Sequence, residues 1–84
     1  MNIYIISREQ CYYDEYDSAI VCAENAEIAR NMDPSDDGKA MTEKRWNERG
    51  SDWCRLPEQV KVEYVGKARK GMSRCVLLGS YNAG

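Results

Sequence analysis

The chain is expected to fold as a single α+β domain over residues 1–84, a small and mostly antiparallel sheet of three to five strands with one helix packed on a face. Three observations predict this. Short segments rich in β-branched and aromatic residues are separated by polar stretches, as strands are. Only the segment after Asn25 carries clear helix signals. The order strand, strand, helix, irregular segment, strand, strand lacks the strict alternation of a parallel α/β sheet.

Taken in order, Asn2 to Ser7 (NIYIIS) is a β-branched and aromatic run, hence the first strand; its near-continuous apolarity predicts a central position or cover on both faces. Arg8 to Asp17 is expected to be an acidic, tyrosine-rich loop without the Asn-Gly signal of a tight hairpin. Ser18 to Ala23 (SAIVCA) is the second strand, again apolar on both faces. Asn25 is the best N-cap for the helix that follows, because its side chain can accept a bond from an orphaned backbone N–H. Glu27 in the first turn suits the helix dipole. Ala26, Ala29, Ile28 and Met32 form its apolar stripe, and Pro34 steers Asp33 out of helical angles. A helix of about two turns is not stable alone, so packing must hold it.

Asp33 to Lys39 (DPSDDGK) is a loop. Ala40 to Arg55 has helical propensity, but Met41 and Trp46 stand five apart and fit no helical face, so a loop or short strand carrying Trp46 is equally compatible. Gln59 to Val65 (QVKVEYV) is the cleanest period-two strand, with Val60, Val62 and Tyr64 against Lys61 and Glu63. Gly66 is expected to close it. Lys67 to Arg74 is a basic connection turning at Gly71, and Cys75 to Leu78, extended as far as Tyr81, is the last strand.

Composition narrows the functional classes. Of the 84 residues, 43% are apolar and 31% charged, the balance of an ordinary folded protein rather than a disordered one. A chain this short buries only about 60–65% of the surface that its unfolded form exposes. Phe is absent, and the aromatic volume comes from six Tyr and two Trp, which suit half-buried or contact positions. A thin core with many amphipathic aromatics predicts self-association into a homo-oligomer. No run approaches the ~20 apolar residues of a membrane span, and MNIYIISREQ lacks a basic leader. The expected compartment is therefore the cytoplasm, with Cys11, Cys22, Cys54 and Cys75 as reduced thiols. Cys22 and Cys75 are expected in the core and the other two partly exposed. Residues 1–38 hold two basic against nine acidic side chains, and residues 39–84 ten basic against five acidic. The halves can neutralise one another, or the basic half can face an anionic ligand.

Catalysis finds no support. The chain has no His, which removes the commonest general base at neutral pH, and no Cys sits in a nucleophile motif. The protein is expected not to be an enzyme and to need no cofactor. Wide cysteine spacing offers no zinc knuckle, and the Asp14–Asp17 acids lack the spacing of a calcium loop, so no metal is expected. Gly38-Lys39 is not part of a Walker motif. What remains is binding. Tyr12, Tyr13, Tyr16, Trp46, Trp53 and Tyr81 offer stacking surfaces, Arg45, Arg49, Arg55 and Lys70 offer phosphate contacts, and Asp17, Ser18 and Asn82 offer polar edges. The candidate ligand-binding set is Tyr13, Tyr16, Asp17, Ser18, Trp46, Arg49, Trp53, Arg55, Tyr81 and Asn82, against a reading in which each ring packs partly in the core and each Arg is solvated.

The stretches NIYIIS, YDEYDSAIVCAENAEIAR, DPS, LPEQVKVEYVGKA and VLLGSYNAG together resemble a family of short bacteriophage and prophage proteins of unassigned role. The most specific pieces are Tyr16-Asp17-Ser18, the Val60–Ala68 strand and Asn82-Ala83-Gly84; GKAMTEKRWNERG departs from the pattern. The resemblance implies a phage origin and action in the cytoplasm of an infected bacterial cell. Short phage proteins of this kind are often counter-defence factors. The first expectation is a protein that sequesters a small nucleotide-type immune signal at an oligomer interface. The alternative is an anti-CRISPR-like inhibitor that clamps onto a host defence protein through its acidic loop.

Overall fold

The computed structural model describes residues 1–9, 15–35, 39, 46, 53, 54 and 56–82. Four strands form: β1 (Asn2–Ser7), β2 (Glu15–Ala23), β3 (Lys61–Lys67) and β4 (Cys75–Asn82). They make one antiparallel sheet in the order β3-β1-β2-β4. The two apolar strands of the first part of the chain are thus the central pair, which accounts for their near-continuous apolarity. In register, Asn2 lies opposite Ala23 and Ser7 opposite Ser18. β3 flanks β1 with Ile6 opposite Val62, and β4 flanks β2 with Ile20 opposite Leu78.

Several strand boundaries differ from expectation: β3 begins at Lys61 rather than Gln59, and β4 runs to Asn82. β2 starts at Glu15, inside the stretch read as loop, because Glu15 and Tyr16 find partners in Asn82 and Tyr81 at the far end of the chain. β3 runs past Gly66 to Lys67, and the register with β1 shifts between Ile3 and Tyr4 so that Val65 is the extra residue of a bulge. The bulge absorbs the break in alternation that looked like a strand end.

Side chains alternate along a strand, so register assigns them to faces. Tyr4, Ile6, Ala19 and Val21 share one face and are buried. They belong to a single apolar cluster with Ala23, Ala29, Met32, Trp46, Trp53, Cys54 and Val60, and Tyr16, Ile28, Val62 and Val76 pack against it. Tyr64 meets Tyr4 edge to face, with ring centroids 5.8 Å apart, an arrangement that the ring quadrupoles favour.

The helix α1 covers Ala26–Arg30, one turn rather than two. Asn25 caps it as expected: its backbone is extended and its side-chain oxygen accepts the Ile28 N–H at 2.9 Å. At the other end the Arg30 guanidinium donates to the Val60 carbonyl at 2.6 Å, tying the helix to the approach to β3. Beyond it, the Asp33 carboxylate accepts from the Ser35 N–H at 2.9 Å and from its hydroxyl at 2.6 Å, a local turn that Pro34 reinforces. Replacing Asn25 by alanine removes the cap and is expected to cost about 1 kcal/mol, read as a lower urea midpoint with an unchanged slope.

Before β3, Pro57–Gln59 forms a single 3₁₀ turn, and the Gln59 side chain accepts the Leu56 N–H at 3.1 Å. Gly71 turns the chain between β3 and β4 with φ 92°, a conformation that costs glycine little.

Candidate functional site

The residues expected to bind a ligand divide into three groups. Trp46 and Trp53 lie in the core, 8% and 1% exposed. This placement fits the reading in which each ring packs in the core. The physical reason is volume: a small sheet with a one-turn helix at Ala26–Arg30 needs large side chains to fill its core, and the two indoles are the largest available. Arg8 completes the placement of Trp53. Its guanidinium stands 6.0 Å from the indole centroid and 3.2 Å from the Glu15 carboxylate, so a cation held by an acid closes over the ring.

Tyr16 and Tyr81 do come together. Opposed across β2 and β4, their rings meet edge to face with centroids 5.0 Å apart. Gly79 makes room for this: a Cβ there would stand 3.0 Å from the Tyr16 ring. Tyr16 is half-buried against the core and Tyr81 is 47% exposed. Next to Tyr16 on β2, the Ser18 hydroxyl donates to the Asp17 carboxylate at 3.1 Å. Ser18 lies opposite Ser7 and Ser80, on the sheet face away from the buried cluster. Lys70 is exposed in the turn beyond β3; register puts that turn at the end of the sheet away from Tyr81. Tyr12, Tyr13, Asp14, Arg45, Arg49 and Arg55 lie outside the described residues, as does the side chain of Asn82, whose backbone ends β4 opposite Glu15.

The acidic mouth is partly spent within the fold. Glu15 is paired with Arg8 and Asp17 accepts from Ser18. What is left for contact is apolar and was not singled out from the sequence. On the face opposite the buried cluster, Ile3, Ile5 and Ile20 are half-buried and Leu78 is 63% exposed; Val65 at the β3 bulge is 56% exposed. Cys22 is buried at one end of that face, opposite Cys75. Two strands apolar on both faces are the sequence signal for this second apolar face.

The thiols offer no poised nucleophile among the described residues. Cys54 was expected to be partly exposed and is buried, while Cys75 is half-buried rather than in the core. Burial pushes the Cys54 thiol above its ordinary value, an effect that the positive charge of Arg8 only partly offsets. Cys54 is therefore protonated at neutral pH and unreactive. A pKa raised in the folded state makes a stability contribution that is complete below the unfolded-state value and lost as pH rises through the folded one. Stability is thus expected to fall at alkaline pH, above about 9. In paired melts of the protein and its Cys54→Ala variant, the difference between them should shrink only over that alkaline window.

No group of three or more candidate metal ligands occurs among the described residues. No helix among them is long and apolar enough to cross a membrane. Comparison with protein-family models, curated proteins and solved structures finds no match.

Proposed function

We propose that this chain is a non-catalytic binding protein of phage or prophage type, which acts in the cytoplasm of an infected bacterium as a counter-defence factor by occupying a protein surface. The observation that supports this reading is the apolar sheet face carrying Ile3, Ile5, Ile20 and Leu78, with both tryptophans withdrawn into the core. In this reading α1 packs over the opposite face, against Tyr4, Ile6 and Val21, and leaves this one for a partner. Small molecules are held in concave sites that enclose most of their surface. A surface spread across strands suits a macromolecule, and contiguous exposed apolar area marks such contacts.

The test is capture of partners from host lysate by the protein and by its Ile20→Lys variant, after circular dichroism has shown the variant folded. A protein retained at high salt and lost with Ile20→Lys supports the reading, since apolar contact is not screened. A partner released by salt alone favours the acidic stretch instead. Capture unchanged by Ile20→Lys overturns the proposal.

A second reading, sequestration of a nucleotide-type signal, draws on the Tyr16–Tyr81 pair, whose outer ring is half exposed; aromatic rings of this kind are the surfaces on which bases stack. It predicts a small molecule released on denaturation of the purified protein and absent from a Tyr81→Ala preparation.

A further inference from the structure

We infer that two copies of this chain associate through β4, antiparallel edge to edge, to make one continuous eight-stranded sheet. The inference rests on the contrast between the two edges of the sheet and stands independently of the proposed function. Exposed strand edges template pairing with another chain, and proteins blunt them with charges, prolines or bulges. β3 is blunted: Lys61, Glu63 and Lys67 lie along it. β4 spans eight residues, CVLLGSYN, without one charged side chain or proline. It ends the sheet order among the described residues, and Leu77, Leu78 and Tyr81 on it are all exposed. Each edge has a register shift, so charge is what separates them.

Charge also selects the occupant. A two-fold axis perpendicular to the sheet must set some residue opposite its own copy, because side chains alternate between faces and the axis preserves the face. For β3, centring on Glu63 sets that carboxylate against its own copy, a like-charge pair that opposes association. For β4, centring on Leu78 sets Val76 against Gly79 on the buried-cluster face and Cys75 against Ser80 on the other, with no charges opposed anywhere along the strand. Leu77 is the residue left over between the Val21–Val76 and Ile20–Leu78 pairs, and Gly79, opposite Val76, has no side chain to obstruct the bulge. A second copy therefore fits this edge without any partner of special chemistry.

Area gives the association a purpose. Four strands about 4.8 Å apart, over six residues rising about 3.3 Å each, have a footprint on the order of 400 Å². A specific interface of standard size uses about 800 Å² per partner. Joined at β4, the two faces lie side by side with Leu78 at the seam and together reach that size, apolar at the centre and charged at the outer rims, where Lys61 and Glu63 lie opposite Ser7 and Ile5.

Light scattering coupled to size exclusion, over the micromolar range, tests this. The protein is expected at about twice its 9.6 kDa chain mass. Leu78→Lys is expected to run as a folded monomer, and Val65→Lys, an equally exposed apolar residue at the other edge, to remain a dimer. Leu77→Lys replaces Leu78→Lys if the latter loses its circular dichroism spectrum. A monomeric parent protein, a dimer that survives the β4 lysine, or one that dissociates with Val65→Lys overturns the inference.

Discussion

Replacing Trp53 by alanine is expected to remove a large share of the protein's stability. The side chain is 1% exposed and is the largest fully buried one. Truncating a buried Trp costs about 3–5 kcal/mol, since the lost transfer energy is joined by the cavity left behind. At about 0.05–0.15 kcal/mol per residue, a domain of this length has only a few kcal/mol more than that to lose. The loss reaches further than the ring, because Arg8 would keep its carboxylate partner but lose the aromatic face beneath it. A thermal melt should show the midpoint falling by more than about 12 °C, at 4–8 °C per kcal/mol for a domain of this size. Tyr81→Ala, at the surface, should move it by a few degrees. Equal effects from the two substitutions would mean that the indole is not a core element.

The second large effect separates two neighbours in sequence. Ile6→Ala, on the buried face, is expected to cost about 3 kcal/mol, within the range for large-to-small changes in a core. Ile5→Ala, one position earlier and on the other face, should cost about 1 kcal/mol, because its side chain is only half removed from water. Urea titrations of the two variants read the difference directly. Similar costs would show that something covers both faces of β1.

The fold was written plainly in some segments and faintly in others. Asn25 and the alternation of Val60, Val62 and Tyr64 are local signals, and the cap and the third strand follow from them. The start of β2 was not legible, because Glu15, Tyr16 and Asp17 do not read as a strand on their own; the pairing of Glu15 and Tyr16 with the last residues of β4 is a contact across more than sixty positions. The tryptophans mislead for a related reason. Trp46 and Trp53 sit in a stretch with no periodicity, and poor periodicity with aromatic and basic residues interleaved is also what a binding loop looks like. Only the packing of Trp46, Trp53 and Cys54 into one cluster with Ile6 and Val21 separates the two. Of the candidate site, the meeting of Tyr16 with Tyr81 joins two residues singled out separately. The open face was invisible because β1 and β2 are apolar on both sides, and composition does not say which side will find a cover.

The order of strands has a consequence for how the molecule is made. β3 and β4 follow one another in the chain but attach to opposite sides of the pair formed by β1 and β2. On the ribosome that pair is complete early and must wait, with both sides unflanked, until most of the remaining chain has emerged. Closing it requires contacts distant in sequence, which slow folding relative to helical proteins of equal length. Nascent chains halted before residue 75 should therefore be cleaved readily by added protease, whereas chains released after residue 82 resist it.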